Sequence, residues 1–282
     1  MQPVQTDNKI FRATLGGSHR ITAENAAEEV RHLVFRTNDS SFNPTVGACI
    51  RVLAPGQFGA KHHGRLYSVL DVEPNKDGTT EFAVCVRRCF YVDEFNGERY
   101  EGVASNFLCN LRAGDAMEFV GPVSHPFNIP EDKSTNLLMI GMGTGIAPFR
   151  GLVRQIYEKL GGWQGKVRLF FGARSGLELL YMNDENSDLA LYYDQPTFKA
   201  FQAVSPRPAL DVPVALDKAI EQNAAEVWEM IKDGNTHVFV AGTATMWPTV
   251  EQALIKLAGS ADAWYDARRN LAIRDRWSEV LY

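Results

Sequence analysis

One stretch decides how the second half of this chain folds: Leu137-Leu138-Met139-Ile140-Gly141-Met142-Gly143-Thr144-Gly145-Ile146-Ala147-Pro148-Phe149-Arg150. Its first residues are apolar and predict a buried strand, its glycines allow a tight turn, and its last residues begin a helix. Pro148 falls in the first helical turn, where a missing N–H loses no partner. Backbone N–H groups and the positive end of the helix dipole meet at such a turn, so the stretch predicts a phosphate site. The glycine spacing differs from the Gly-x-Gly-x-x-Gly fingerprint, which leaves an ordinary tight turn open on the glycines alone.

Beyond this stretch, apolar strands alternate with amphipathic helices. We predict strands at 137–141, 167–172, 198–204 and 236–241, and helices after Pro148 and at about 216–233, 246–258 and 262–275. Alternation of this kind is typical of a parallel sheet with helices on both faces. A polar connector at 130–136 precedes it.

The first 130 residues follow a different rhythm. Short alternating or β-branched runs at 29–35, 48–53 and 81–86 are separated by turn-rich segments such as 54–56 and 74–78. This pattern indicates an antiparallel barrel. A chain of 282 residues exceeds the usual size of one domain. The sequence therefore predicts two domains, an antiparallel β-barrel at 1–132 and an α/β domain with a parallel sheet at 133–282.

Composition narrows the class of protein. Apolar residues make up 45% and charged residues 22%, as in ordinary globular proteins. The net charge of −5 argues against nucleic acid as the main partner. No apolar run is long enough to span a bilayer and no secretory signal begins the chain, so we expect a cytoplasmic protein. The spacing of Cys85 and Cys89 puts both on one face of a strand, so we expect no metal site.

Three further motifs precede the glycine turn. They are Arg65-Leu66-Tyr67-Ser68, Cys85-Val86-Arg87-Arg88 with Tyr91, and Gly102-Val103-Ala104-Ser105-Asn106-Phe107-Leu108. With these motifs in this order, and Tyr282 as the last residue, the chain resembles the plant-type ferredoxin–NADP(H) reductases from about residue 10 onward. The resemblance implies FAD in the barrel, NADP(H) in the α/β domain, and hydride transfer between them. Single electrons would pass to or from a small carrier, ferredoxin or flavodoxin.

The resemblance also implies which residues hold FAD. Arg65 and Arg87 suit its pyrophosphate because charge-assisted hydrogen bonds are strong, and Ser105 and nearby N–H groups complete that anion site. Tyr67 would stack on the isoalloxazine and Tyr91 on the adenine. Ser68 would donate a hydrogen bond to flavin N5, which makes it a predicted catalytic residue. The full predicted set is Arg65, Leu66, Tyr67, Ser68, Cys85, Val86, Arg87, Tyr91, Gly102, Val103, Ala104 and Ser105.

A second set is implied for the dinucleotide. It comprises Thr144, Gly145, Ala147, Pro148, Arg174, Ser205, Arg207, Ala241, Gly242 and Tyr282. Ser205 and Arg207 resemble the family's clamp for the 2′-phosphate with one residue inserted, and Arg174 is a second cation for it. No acid stands at the end of the strand that finishes at Val204, so we expect NADP(H) rather than NAD(H).

The end of the chain departs from the family pattern. Tyr282 would cover the second flavin face and move aside for nicotinamide, whereas Ala241 stands where the family usually has cysteine. The family's carboxylate lies two residues before the terminal tyrosine, but here that position is Val280 and the acid is Glu279. A shift of one residue turns a strand side chain to the other face. Glu279 is therefore either a catalytic acid reached through a bulge or a surface acid.

Other activities stay open from the sequence. A reductase component that feeds an oxygenase would use the same site with another acceptor. A subunit that holds FAD without turnover would explain the missing cysteine and the displaced acid. We favour the reductase, with Arg51, Lys61 and Arg88 as a basic rim that attracts an acidic carrier.

Overall fold

The computed structural model describes residues 9–204 and 215–282. Contacts between Cα atoms divide the chain into two compact units, one ending at Asn128 and the other comprising Ile129–Tyr282. This division lies near the predicted boundary at residues 132 and 133. The predicted clamp residues Ser205 and Arg207 lie outside the described residues.

The first unit is built on a seven-stranded sheet with the order β4-β3-β9-β1-β2-β6-β5, in which every pairing is antiparallel. A separate two-stranded hairpin pairs β7 with β8, and one helix, α1, precedes β9. The elements are β1 (Ile10–Arg20), β2 (Val30–Thr37), β3 (Cys49–Pro55), β4 (His62–Ser68), β5 (Val72–Pro74), β6 (Thr80–Arg87), β7 (Phe90–Val92), β8 (Arg99–Glu101), α1 (Val103–Asn110) and β9 (Ala116–Ser124). The predicted antiparallel architecture is confirmed.

Alternate residues of these strands form one core. Leu33 and Phe35 of β2, Ile50 of β3 and Val84 of β6 all belong to the same buried cluster. Burial of one face only explains the period of two that the sequence shows. Aromatic rings fill the centre, with Phe42 lying 4.9 to 5.4 Å from its ring neighbours.

The second unit contains a five-stranded parallel sheet with the order β12-β11-β10-β13-β14. Its strands are β10 (Asn136–Met142), β11 (Val167–Ala173), β12 (Phe198–Val204), β13 (Thr236–Gly242) and β14 (Trp277–Leu281). Its helices are α2 (Ile146–Arg154), α3 (Leu216–Gln222), α4 (Ala224–Lys232), α5 (Trp247–Ala258) and α6 (Ala261–Ile273). The predicted α/β class is confirmed.

Helices cover both faces of this sheet. Leu138 and Ile140 of β10 pack with residues of α3 to α6, whereas a Cβ on Gly141 would touch Phe149 of α2. Successive strand residues point to opposite faces, so α2 lies on one side and the other four helices on the other. Strands that are buried on both faces have continuous apolar sequences, and for this reason their positions could be predicted from the sequence.

The segment predicted to be helical at about 216–233 is helical in the structure, but it is divided into two helices, α3 and α4. Asn223 separates α3 from α4 with a non-helical φ of −114° and ψ of 26°. Its side-chain amide donates to the carbonyl of Ala219 at 2.8 Å, and its N–H donates to Ile220. Asparagine competes in this way for backbone partners, which ends the first helix.

All five parallel strands end at the same edge of the sheet. β10 leads into a 3₁₀ turn at Gly143–Gly145, β11 leads to Arg174, β13 ends at Gly242 and β14 is followed by Tyr282. Ligands of open α/β sheets bind at this carboxyl edge. Across residues 9–204 and 215–282, no helix combines the length and the apolar character needed to cross a bilayer.

Candidate functional site

The edge strand β4 carries the first predicted motif. β4 pairs only with β3, where Arg65 lies opposite Val52 and Tyr67 opposite Ile50. Paired residues share a face, so Arg65 and Tyr67 point toward the side on which the core lies. Arg65 is exposed and, in the described part of the chain, makes no hydrogen bond or ion pair. Its guanidinium is therefore available to an anion.

Tyr67 and Ser68 have unlike surroundings. The Tyr67 ring packs against the core, and burial raises the pKa of its phenol, helped by the nearby thiols of Cys89 and Cys109. The ring therefore stays neutral and can serve as an aromatic platform. The Ser68 hydroxyl lies 3.8 Å from the Sγ of Cys49, a weak contact that leaves its proton for a stronger acceptor. Leu66, which precedes Tyr67 in β4, is 53% exposed.

The start of α1 forms the second part of this site. Gly102 precedes the helix, no acidic residue lies in the first turn, and no side chain caps it. Helix N-termini leave N–H groups without partners, here those of Val103 and Ala104. A Cβ on Gly102 would lie 2.9 Å from the Ser105 hydroxyl and 3.1 Å from Cys89. Glycine is thus required for the close approach, and the free N–H groups with Arg65 form a donor set that suits a pyrophosphate.

Ser105 already has partners inside the protein. Its Oγ accepts a hydrogen bond from the N–H of Cys89 at 3.1 Å and donates to the carbonyl of Gly102 at 3.2 Å. These bonds tie α1 to the chain that follows β6. Because its single O–H already donates to Gly102, Ser105 can donate to an anion only if that bond is broken.

Two arginines at the end of β6, Arg87 and Arg88, are held by acids. Arg87, whose neighbours Cys85 and Val86 are buried in β6, donates to Glu28 at 3.0 Å in a pair that is one-third exposed. Exposed pairs of this kind contribute less than about 1 kcal/mol, so a phosphate can replace Glu28. Arg88 donates to Glu29 at 2.8 Å, and also to side chains of α1. Burial alone would raise the pKa of Glu29, but hydrogen bonds from Arg88 and Arg31 lower it.

Tyr91 lies on an exposed aromatic hairpin. Its ring is 58% exposed and stacks on Tyr100 with centroids 5.2 Å apart at 19°. Arg99 lies over the ring of Phe90 at 3.7 Å. Two strands joined only to each other present flat rings to solvent, a surface that suits a planar ring. Tyr100 escaped the sequence reasoning because only its pairing with Tyr91 brings it to the site.

In the second unit the glycine turn lies against β13. A Cβ on Gly145 would stand 2.1 Å from the carbonyl oxygen of Ala241 and 2.7 Å from the nitrogen of Gly242. Only glycine permits that approach. α2 begins after this turn with no acidic residue in its first turn and no capping side chain, and Ala147 and Pro148 are buried in it. The turn thus offers backbone donors and a positive helix end, which fit a dinucleotide pyrophosphate.

Tyr282 reaches the same turn. Its hydroxyl lies 2.5 Å from the Oγ1 of Thr144. Its N–H donates to the carbonyl of Gly242 at 3.1 Å, and its carbonyl accepts from the N–H of Ala244 at 3.0 Å. The structure therefore brings together Thr144, Gly145, Gly242 and Tyr282, which are far apart in the sequence. The tyrosine ring is still 54% exposed.

Arg174 follows β11 at the same edge. Ala173, the last residue of β11, pairs with Val204, the last of β12. Arg174 is exposed, and among residues 9–204 and 215–282 it has no hydrogen-bond or ion-pair partner. A free cation beside the end of β12 suits a 2′-phosphate.

The pairing of β13 with β14 fixes the faces of the last residues. Val240 lies opposite Glu279 and Ala241 opposite Val280, with no shift in register. Val280 therefore shares a face with Ala241, and Glu279 points to the side of α6. There its carboxylate accepts from Arg268 at 2.9 Å and from the indole of Trp277 at 2.8 Å. The bulge that would turn Glu279 to the other face is absent from this part of the described chain.

Comparisons with known proteins show what this chain is similar to. The sequence model of a family described as "Oxidoreductase NAD-binding domain" matches residues 139–252. The chain is 30% identical to a "Ferredoxin--NADP reductase" of Spirulina over 94% of its own length and 92% of that protein's. It is also 30% identical to a "Ferredoxin--NADP reductase" of Picosynechococcus, over 94% of its own length and 68% of that protein's. In fold it resembles the "Ferredoxin-NADP+ reductase from Plasmodium falciparum" with a TM-score of 0.74, at 18% identity, over 99% and 98% of the two chains.

Proposed function

The chain belongs to the ferredoxin–NADP reductase family, and from that premise we propose how its own residues carry out the family's reaction. The protein is a flavoprotein oxidoreductase that uses FAD and NADP(H). It moves a hydride between NADP(H) and FAD and exchanges single electrons with ferredoxin. FAD, when bound, supplies the hydride-accepting N5 atom and the one-electron chemistry.

The first unit holds FAD through β4, β6 and α1. Arg65 and the N–H groups of Val103 and Ala104 bind the pyrophosphate, and Arg87 joins them when Glu28 gives way. Tyr67 stacks on the isoalloxazine, and Tyr91 with Tyr100 stacks on the adenine. Support comes from the free guanidinium of Arg65, the uncapped start of α1 and the exposed rings of the hairpin.

Ser68 is the residue of the first unit that takes part in the reaction. Its hydroxyl donates to flavin N5, orients that atom and keeps a proton beside it. The weak contact with Cys49 supports this role, because no stronger acceptor in the described chain competes for the Ser68 proton. Ser68 would position the acceptor atom and would not itself carry electrons.

The second unit binds NADP(H) at the carboxyl edge of its sheet. Thr144, Gly145 and the start of α2, with Ala147 and Pro148, receive the pyrophosphate, and Arg174 pairs with the 2′-phosphate. Tyr282 lies against the turn where nicotinamide binds. Nicotinamide takes this place when the tyrosine moves aside. The contact of Tyr282 with Thr144, beside Gly145 and Ala241, is the observation that carries this proposal.

The carrier approaches the exposed cations of the first unit. Arg51 and Lys61 are both exposed, whereas the charge of Arg88 is neutralised by Glu29. Electrostatic attraction of an acidic carrier raises the rate of encounter. Ferredoxin is the carrier implied by the family, flavodoxin is a proposed alternative, and a cytoplasmic location stays a prediction.

One experiment tests the function directly. The purified protein should show flavin absorption bands, and anaerobic addition of NADPH should bleach them. Adding oxidised ferredoxin should then restore the bands. Flavin bands that NADPH leaves unchanged would contradict the reductase and favour a subunit that only holds FAD. Bleaching without reoxidation by ferredoxin would favour a component that feeds another acceptor.

A further inference from the structure

A compact cluster of charged and aromatic side chains surrounds Arg268 in the second unit. Its guanidinium lies 5.2 Å from the ring centre of Trp247 and 5.0 Å from that of Trp277. It donates to Glu251 of α5 at 3.3 Å and to Glu279 of β14 at 2.9 Å. A planar cation with a fixed fork suits such stacking and pairing together, which lysine cannot reproduce.

This cluster joins the last strand to two helices. Trp277 of β14 lies edge-on to Trp247 at 5.7 Å and to Trp264 at 5.8 Å. The indole of Trp264 donates to Glu251 at 3.2 Å. Arg268 is the member that contacts both acids and two of the three indoles. β14 is the outermost strand of its sheet, and Arg268 supports it laterally together with the packing of Trp277 on Trp247 and Trp264.

β14 ends directly beside the glycine turn. Beyond Leu281, the backbone of Tyr282 bonds to Gly242 and Ala244, and its hydroxyl bonds to Thr144. A strand of five residues is short, so a shift at Trp277 or Glu279 moves Tyr282 as well. Within residues 9–204 and 215–282, the side chain of Arg268 makes no hydrogen bond or ion pair with a residue proposed to bind NADP(H).

We propose that Arg268 is a positioning residue for Tyr282: by fixing β14 through Glu279 and Trp277, it sets how strongly Tyr282 resists displacement from Thr144. On this basis Glu279 serves to hold the strand and takes no part in proton transfer. The proposal rests on the proposed function, in which nicotinamide displaces Tyr282. The free energy of that displacement opposes the binding of any ligand that carries the nicotinamide ring.

The test compares Arg268→Leu, which keeps volume between the indoles, with two other variants. Arg269→Ala is the matched control, because Arg269 is the next residue of α6 and pairs at the exposed surface with Asp266. Arg268→Lys keeps the positive charge but loses the planar guanidinium. This variant replaces Arg268→Leu in the test if the leucine variant does not fold. Hydrogen exchange of the segments 243–246 and 277–282 is measured without nucleotide. Binding of NADP⁺ and of 2′-phospho-AMP is measured by titration calorimetry.

The expected results distinguish weaker anchoring of Tyr282 from general destabilisation of the fold. In Arg268→Leu, amides of both segments should exchange at least tenfold faster, and NADP⁺ should bind three- to tenfold more tightly. Binding of 2′-phospho-AMP, which lacks nicotinamide, should not change. Arg268→Lys should lie between this variant and the control. Unchanged exchange and affinity, or equal weakening of both ligands, would overturn the proposal. Failure of wild type to bind either nucleotide would contradict the proposed function, while the exchange result would still decide the role of Arg268.

Discussion

At the scale of single residues, the availability of an arginine separates a binding residue from a structural one. Arg65 and Arg174 are exposed and unpaired within the described chain, whereas Arg150 pairs with Asp188 and Arg168 with Glu226, both deep in the second unit. The sequence cannot make this distinction, because the acid that pairs with Arg168 lies 58 positions away. Burial and partners identify the free cations only once the chain is folded.

Arg174 therefore gives the sharpest test of dinucleotide choice. Arg174→Ala should raise the KM for NADPH by about tenfold, since a charge-assisted hydrogen bond contributes about 1.5 kcal/mol at its lower end. The KM for NADH should stay the same, because NADH has no 2′-phosphate. Arg174→Lys keeps the charge and should lose less. Steady-state kinetics with both dinucleotides checks this, and an equal loss with NADPH and NADH would show that Arg174 is not at the 2′-phosphate.

At the scale of elements, the sequence predicted what local pattern determines. The strands β10 to β13 lie within two residues of their predicted bounds, because continuous apolar runs mark them. The sequence reasoning gave no bounds for β14 and did not identify α1. β14 has five residues and becomes a strand by pairing with β13, and α1 has eight, bounded by no capping side chain. The contact of Thr144 with Tyr282 joins residues 138 positions apart, and no local signal marks it.

The glycine turn and β13 approach each other closely, and adding one methyl group at Gly145 tests this contact between two elements. Gly145→Ala should destabilise the second unit by about 2 kcal/mol, because the added Cβ overlaps the carbonyl of Ala241. NADP⁺ binding should weaken with it, since the turn must move. Gly176→Ala is the control, with no atom within 4 Å of its added Cβ and an ordinary φ. Thermal unfolding and calorimetry measure the two effects, and equal midpoints for both variants would contradict the close approach.

The link between β11 and α4 predicts a pH dependence. Arg168 is buried and donates to Glu226 at 2.8 Å, and this hydrogen bond lowers the pKa of Glu226 despite partial burial. A depressed pKa contributes stability above the unfolded value near 4.5, and that contribution disappears as the pH falls through the folded value. Glu226→Gln should thus cost about 1 kcal/mol at pH 7, or about 2 to 4 °C in midpoint, and progressively less below about pH 4.5.

The control for this ion pair is Asp266→Asn. Asp266 pairs with Arg269 at 3.1 Å, and both side chains are about two-thirds exposed. Such surface pairs contribute little, so this variant should change the midpoint by less than about 1 °C. A loss for Glu226→Gln that stays constant from pH 7 to pH 3 would show that the charge of Glu226 is not what stabilises the link.

At the scale of the whole molecule, each unit has its own core and its own proposed cofactor. The aromatic cluster around Phe42 belongs to the first unit, and the cluster that contains Leu138 and Trp264 belongs to the second. Every described residue proposed to bind NADP(H) lies in Ile129–Tyr282, and every residue proposed to bind FAD lies before it. A nucleotide fragment should therefore stabilise one unit selectively.

The prediction uses 2′-phospho-AMP at 100 times its measured dissociation constant. Linkage then stabilises the unit that binds it by about 2.7 kcal/mol, which slows the exchange of its most protected amides about a hundredfold. We expect this slowing in β10 and β13 of the second unit, because both strands lead into the proposed site. The amides of β1 and β2 should exchange at their original rates, since their core contains no residue of that site. Hydrogen exchange followed by mass spectrometry resolves these strands. Equal slowing in all four would mean that the two units unfold as one, and the assignment of separate cofactors to separately stable units would then be wrong.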